Sequence, residues 1–154
     1  MAVKVWRITH KDYAESAFTG EGAKLFGGRF NSEGIPLVYT SGSLSLAMLE
    51  IIVQSNGRGY FKHCTVFYAE IPENLINIPD LNNLPNEWNQ IPYGKQPQQF
   101  GDAWIKSGNK PVIRVPSVVV PIEYNFLMNP MHPEFSEIKI NETENISFDA
   151  RLTD

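Results

Sequence analysis

The sequence predicts one α+β domain, residues 1–154, in which a mixed, strongly bent β core packs against a buried helix. Three observations carry this prediction. The runs VKVWRIT at 3–9, LVYTS at 37–41 and CTVFYAEI at 64–71 are short and rich in β-formers. Residues 44–54 read as a helix that is apolar nearly all round, the pattern of a helix with no face turned to water. A length of 154 residues, with 42% apolar and 19% charged side chains, suits one domain with a real core and is short for two.

The elements follow in order. In the first strand Val3, Val5 and Arg7 share one face, and Trp6 and Ile8 the other. Asp12 with Glu15 three residues on predicts a capping box for a short helix, DYAESAF. Gly20, Gly22, Gly27 and Gly28 then predict a bent surface loop. They make no phosphate loop: Leu25 stands where a third glycine of G-x-G-x-x-G belongs, and no G-K-[ST] ending exists.

Pro36 and Gly42 bound the strand 37–41, and Ser41 or Ser43 offers an N-cap for helix 44–54. The stretch 72–97 carries five prolines and many Asn and Gln, and is expected to be a long irregular connection, a lid or rim over a site. A short helix over 98–107, stopped by Gly108, follows. PVIRVPSVVVP at 111–121 reads as a strand pair or bent strand broken at Pro116-Ser117, and 137–140 and 145–148 as terminal strands.

The charge of −4 without any Lys/Arg run argues against nucleic-acid binding. The opening MAVKVWRITHKDY lacks the pattern of a signal peptide, and no window reaches the roughly 18 apolar residues of a membrane span. A single cysteine, Cys64, fits a reducing compartment. The expectation is a cytoplasmic protein.

His10, His63 and His132 are scattered. The adjacent His63-Cys64 pair points to opposite faces of a strand, so no metal site is expected. Cys64 reads as a small core residue, and no G-x-S-x-G motif suggests a serine hydrolase.

The stretch Gly27–Glu50 stands apart. It brings Arg29, Tyr39 and Glu50 close in sequence, with Gly27-Gly28 able to let backbone approach a ligand. Glu50 is the one charge on its helix, and a carboxylate there needs a partner, a ligand or a shifted pKa. One reading is a buried Arg29–Glu50 ion pair with Tyr39 as core; the other is a functional pocket.

Six motifs resemble the RES domain in order and spacing. They are W-R-I at 6–8, G-G-R-F-N at 27–31, P-L-V-Y-T-S at 36–41, S-L-A-M-L-E at 45–50, V-P-S-V-V-V-P at 115–121 and N-F-L-M-N-P-M-H-P at 125–133. The resemblance implies an ADP-ribosyltransferase-like fold. It also implies a bacterial toxin that consumes NAD⁺ as substrate, without a prosthetic group, and an Xre-like antitoxin as partner in a hetero-oligomer. It implies a catalytic trio of Arg29, Tyr39 and Glu50, with Arg7, Ser117 and Gly28 as further pocket positions. Arg29 stands where many diphtheria-toxin-like enzymes open their motif with His.

The chemistry suits these residues. Cleaving the nicotinamide–ribose bond passes through an oxocarbenium-like state, and nicotinamide departs as a neutral base, so one carboxylate suffices. Arg29 and Arg7 suit the pyrophosphate, Tyr39 a stack on nicotinamide, and Ser117 a hydrogen bond to nicotinamide or phosphate. Trp6 reads as packing rather than an adenine shelf. The acceptor stays open: water, inorganic phosphate or a protein side chain. A non-catalytic nucleotide- or partner-binding module is the alternative from another class.

Overall fold

Seven strands pair into one mixed sheet, described here from a computed structural model covering residues 1–55 and 58–153. In chain order they are β1 (Ala2–His10), β2 (Val38–Ser41), β3 (Cys64–Pro72), β4 (Ile76–Asn77), β5 (Val112–Pro116), β6 (Tyr124–Met128) and β7 (Lys139–Glu142). The spatial order is β4-β5-β6-β2-β1-β3-β7. Every pairing is antiparallel except β4 with β5. The helices are α1 (Glu21–Phe26), α2 (Leu44–Ser55) and α3 (Lys95–Ser107). This is the α+β arrangement expected.

Side chains alternate across the sheet, and each face has its own core. Val5, Val38, Ala69, Ile71, Val112, Phe126 and Met128 fill one side. On the other, Leu37, Ile113, Val115 and Leu127 meet Phe100, Trp104 and Ile105 of α3. Ile8 and Val66 there meet Ala47, Met48, Ile51 and Ile52 of α2. Both helices therefore cover the same face, α2 over β1 and β3 and α3 over β5 and β6.

Several expectations need correction. The Asp12 capping box does not form. His10 Nδ1 caps the turn instead, accepting from Asp12 N at 3.2 Å, and the turn is a single 3₁₀ turn, Lys11–Tyr13. The glycine stretch holds a short helix, α1, because Gly20 enters at φ 74 and Gly27 leaves at φ 73. Helix α2 is capped by Ser43 as expected (Leu46 N to Oγ, 3.1 Å) but is not wrapped on all sides: Leu49 is 42% and Val53 62% exposed.

The strand after Pro116 is not 117–121, which forms a turn, but β6, paired with both β5 and β2. Residues 145–148 form no strand, and the last strand is β7. No helix among the described residues is long and apolar enough to cross a membrane.

Candidate active site

The loop from Gly27 to Ile35 folds around one side chain. Asn31 is fully buried, and its Nδ2 donates to the carbonyls of Ala23 (2.8 Å) and Ile35 (2.9 Å). Its Oδ1 accepts from Tyr39 Oη at 2.7 Å, and the same phenol oxygen accepts from Phe30 N at 3.0 Å. Tyr39 is thus pinned by its hydroxyl to the loop that carries Arg29. Burial pushes its pKa well above the usual phenol value, so it is neutral.

Helix α3 holds this loop from behind. Gln98 Nε2 donates to Gly28 O (3.0 Å) and Asn31 O (3.3 Å), while Asp102 Oδ1 accepts from Ser32 N at 3.0 Å. The helix comes so near that a Cβ on Gly101 would lie 1.7 Å from Phe30 O. Gly28 serves a second close approach: a Cβ there would meet Tyr39 Oη at 2.6 Å and Asn31 Oδ1 at 2.9 Å. The sequence suggested that Gly28 lets backbone near a ligand; what it meets here is the Tyr39 hydroxyl.

Arg29 points to the proline-rich connection. Its Nη1 donates to Trp88 O and Gln90 O, both at 2.8 Å, and the guanidinium lies 5.5 Å from the Tyr93 ring centre. Arg29 therefore fastens the part of that connection around Trp88 and Gln90. Desolvation lowers the Arg29 pKa and the field of Glu50 opposes that. No ion pair joins the two within 4.0 Å; among the described residues the ion pair is Arg151–Asp149, and His10 with Asp12 would form another only with the imidazole protonated. The buried Arg29–Glu50 pair that one reading predicted is absent.

Glu50 stands half-buried on α2 and accepts a hydrogen bond from Asn125 Nδ2 at 2.6 Å. Burial raises its pKa, and the Asn125 bond and the charge of Arg29 hold the rise back. Arg29, Tyr39 and Glu50 are thus brought to one region, on the sheet face covered by α2 and α3.

Arg7 and Ser117 bond to backbone. Arg7 Nε donates to Ala17 O (2.6 Å) and its Nη1 to Tyr39 O (2.9 Å), and burial lowers its pKa. Ser117 is fully buried; its Oγ accepts from Val119 N (3.0 Å) and Val120 N (3.1 Å), shaping the turn between β5 and β6. Trp6 packs against Tyr68, with ring centres 5.6 Å apart. Cys64 sits beside the Ile8–Ala47 core, and burial pushes its thiol pKa up. His132 caps a turn, like His10. No group of three or more potential metal ligands exists among the described residues.

Sequence reasoning missed Asn31, Gln98 and Asn125. Two of them were visible, Asn31 closing G-G-R-F-N and Asn125 opening N-F-L-M-N-P-M-H-P. Nothing local marks them as partners of Tyr39 and Glu50.

The RES domain model matches residues 4–149. The chain belongs to the RES domain family. Across 150 residues it is 37% identical to a Toxin Res of Photorhabdus laumondii, covering 96% of each chain. A Prs ADP-ribosylating toxin of a Sphingobium strain is 34% identical over 157 residues, with 99% of this chain and 98% of that one covered. A Toxin Res of Yersinia enterocolitica is 32% identical over 149 residues, covering 96% and 98%.

Among solved structures, a chain of the Mycobacterium tuberculosis MbcT–MbcA toxin–antitoxin complex matches with a TM-score of 0.75. The match covers 93% of this chain and 84% of that one at 16% identity, a likeness of fold. The RES resemblance and the α+β class read from the sequence are both borne out, and the chain's curated relatives in the family are toxins.

Proposed function

We propose that this RES-family toxin consumes NAD⁺ by breaking the bond between nicotinamide and ribose. One observation carries the reading. Glu50 is a half-buried carboxylate, the one charge on a largely apolar helix, held by Asn125 and in the field of Arg29, yet without an ion-pair partner among the described residues. Such a carboxylate is costly to the fold and useful to a cation that forms during reaction.

In the proposed reaction the C–N bond breaks with its electron pair leaving on nicotinamide, and positive charge develops on the ribose. Glu50 stabilises that charge and accepts hydrogen bonds from the ribose hydroxyls. Tyr39, neutral and fixed by Asn31 and Phe30, offers its ring to nicotinamide. Arg29 spends Nη1 on the rim and turns the rest of its guanidinium to the pyrophosphate. Arg7 and Ser117 serve as supports, one through the Tyr39 backbone and the other through the β5–β6 turn. Water then takes the ribose carbon and loses a proton to solvent, or inorganic phosphate takes it directly.

A second reading has its own support. A relative 34% identical is named an ADP-ribosylating toxin, so a protein side chain is the other candidate acceptor. An enzyme that drains NAD⁺ must be restrained in its own cell, and the fold is that of a chain from a toxin–antitoxin complex. We therefore propose an Xre-like antitoxin that covers the site, and cytoplasmic action.

Purified protein incubated with NAD⁺, with and without phosphate, tests the reaction. Release of nicotinamide without labelling of protein supports degradation, and transfer of labelled ADP-ribose to a lysate protein supports the second reading. No nicotinamide release under any of these conditions leaves the non-catalytic module standing.

A further inference from the structure

Asn125 is in β6 and Ser41 directly opposite in β2, a register pair whose side chains share one face of the sheet. Helix α2 begins three residues after Ser41 and brings Glu50 back to the same place. The result is a chain of three side chains. Ser41 Oγ donates to Asn125 Oδ1 at 2.9 Å, and Asn125 Nδ2 donates to Glu50 Oε2 at 2.6 Å.

The polarity of this chain follows from chemistry. An ionised carboxylate only accepts, so the amide must present nitrogen to Glu50 and oxygen to Ser41, whose hydroxyl then donates. Ser41 is buried, at 5% exposure, so its hydroxyl has a defined partner rather than a choice of waters. An arrangement in which each member fixes the next favours one orientation of the carboxylate.

We propose that Asn125, oriented by Ser41, is the positioning residue for Glu50: it aims the carboxylate and keeps it charged for its role in catalysis. The inference rests on the reading of Glu50 given above. Among the described residues the charged group bearing on Glu50 from elsewhere is Arg29, from the loop before β2; α2 carries no other ionisable side chain, and Tyr39 of β2 is neutral. Losing a charge-assisted donor removes a hydrogen bond that favours the charged form, so the Glu50 midpoint moves upward by about one pH unit. Asn125→Asp keeps the shape, turns donor into acceptor and sets a second carboxylate beside the first, moving the midpoint further up. Ser41→Ala leaves the amide in place but frees it to turn, with a smaller rise.

The test has two readouts on wild type, N125A, N125D and S41A. The first is the titration of the Glu50 carboxyl carbon by ¹³C NMR, which needs no substrate. The second is the pH profile of nicotinamide release. The expected order of Glu50 midpoints is wild type, S41A, N125A, N125D, with the acidic limb of activity rising in the same order. If N125A does not fold, the near-isosteric N125D and S41A carry the comparison. A Glu50 midpoint unchanged in the folded variants overturns the role of Asn125, whatever happens to the rate. A wild type that releases no nicotinamide strikes instead at the NAD⁺ reading, and the NMR titration still judges whether Asn125 controls Glu50.

Discussion

Replacing Gly28 by alanine tests the way this site is built. The added Cβ would stand 2.6 Å from Tyr39 Oη, 2.9 Å from Asn31 Oδ1 and 3.0 Å from Tyr39 Cζ. None of these neighbours is the free end of a flexible chain. The phenol is held by Phe30 N and Asn31 at 3.0 and 2.7 Å, and Asn31 is held in turn by the carbonyls of Ala23 and Ile35. The methyl must push the ring and its hydrogen bond aside. Overpacking of this kind costs about 2 kcal/mol, which in a chain of this size lowers Tm by about 4–8 °C.

Displacing the ring that faces nicotinamide should also reduce kcat/KM for NAD⁺ by about a hundredfold. Gly22→Ala is the control: nothing lies within 4 Å of its Cβ, and alanine favours the short helix it sits in. Calorimetry on both variants decides the matter. A G28A protein that melts with wild type and with G22A would refute the argument, because the loop would then be yielding freely around Tyr39.

Three further outcomes follow from the geometry. Arg29→Ala releases the carbonyls of Trp88 and Gln90, so limited proteolysis between 85 and 93 should quicken about tenfold while Tm changes little. Gly101→Ala sets a methyl against Phe30 O at 1.7 Å, where backbone must move; it should yield little folded protein, checked by circular dichroism of the soluble fraction. Burial raises the Glu50 midpoint, so its ionised form costs stability above that midpoint and the cost fades as pH falls toward the ordinary carboxylate value. Glu50→Gln should therefore melt no lower than wild type at neutral pH, with any advantage shrinking on acidification.

How much of this was legible in the sequence depended on periodicity. Strands β1 and β3 alternate or run β-rich between clear breaks, α2 starts at the Ser43 cap and α3 stops at Gly108, so each was readable. Strand β6 was not. It lies between β5 and β2, and Phe126, Leu127 and Met128 are all buried, so it shows no period of two. Helix α1 was hidden by its glycines: Gly20, which admits the left-handed entry, and Gly22 inside the helix both read as loop.

Helix α2 was read as apolar nearly all round and therefore buried, yet the sheet covers only part of it and leaves Leu49 and Val53 at the surface. Within the site, Arg29, Tyr39 and Glu50 stood out as polar groups in apolar company. Their partners did not: Trp88 lies 59 residues from Arg29, and Asn125 lies 75 from Glu50. Pairings over such distances are set by sheet order, which no local pattern records.

The most direct measurement is nicotinamide release from NAD⁺ by wild type and by E50Q, with both proteins shown to be folded by their melting curves. The account predicts turnover by wild type and a loss of at least a hundredfold in E50Q at unchanged or higher Tm. Equal release by the two proteins would contradict it, because the one charge on helix α2 would then have no part in the reaction.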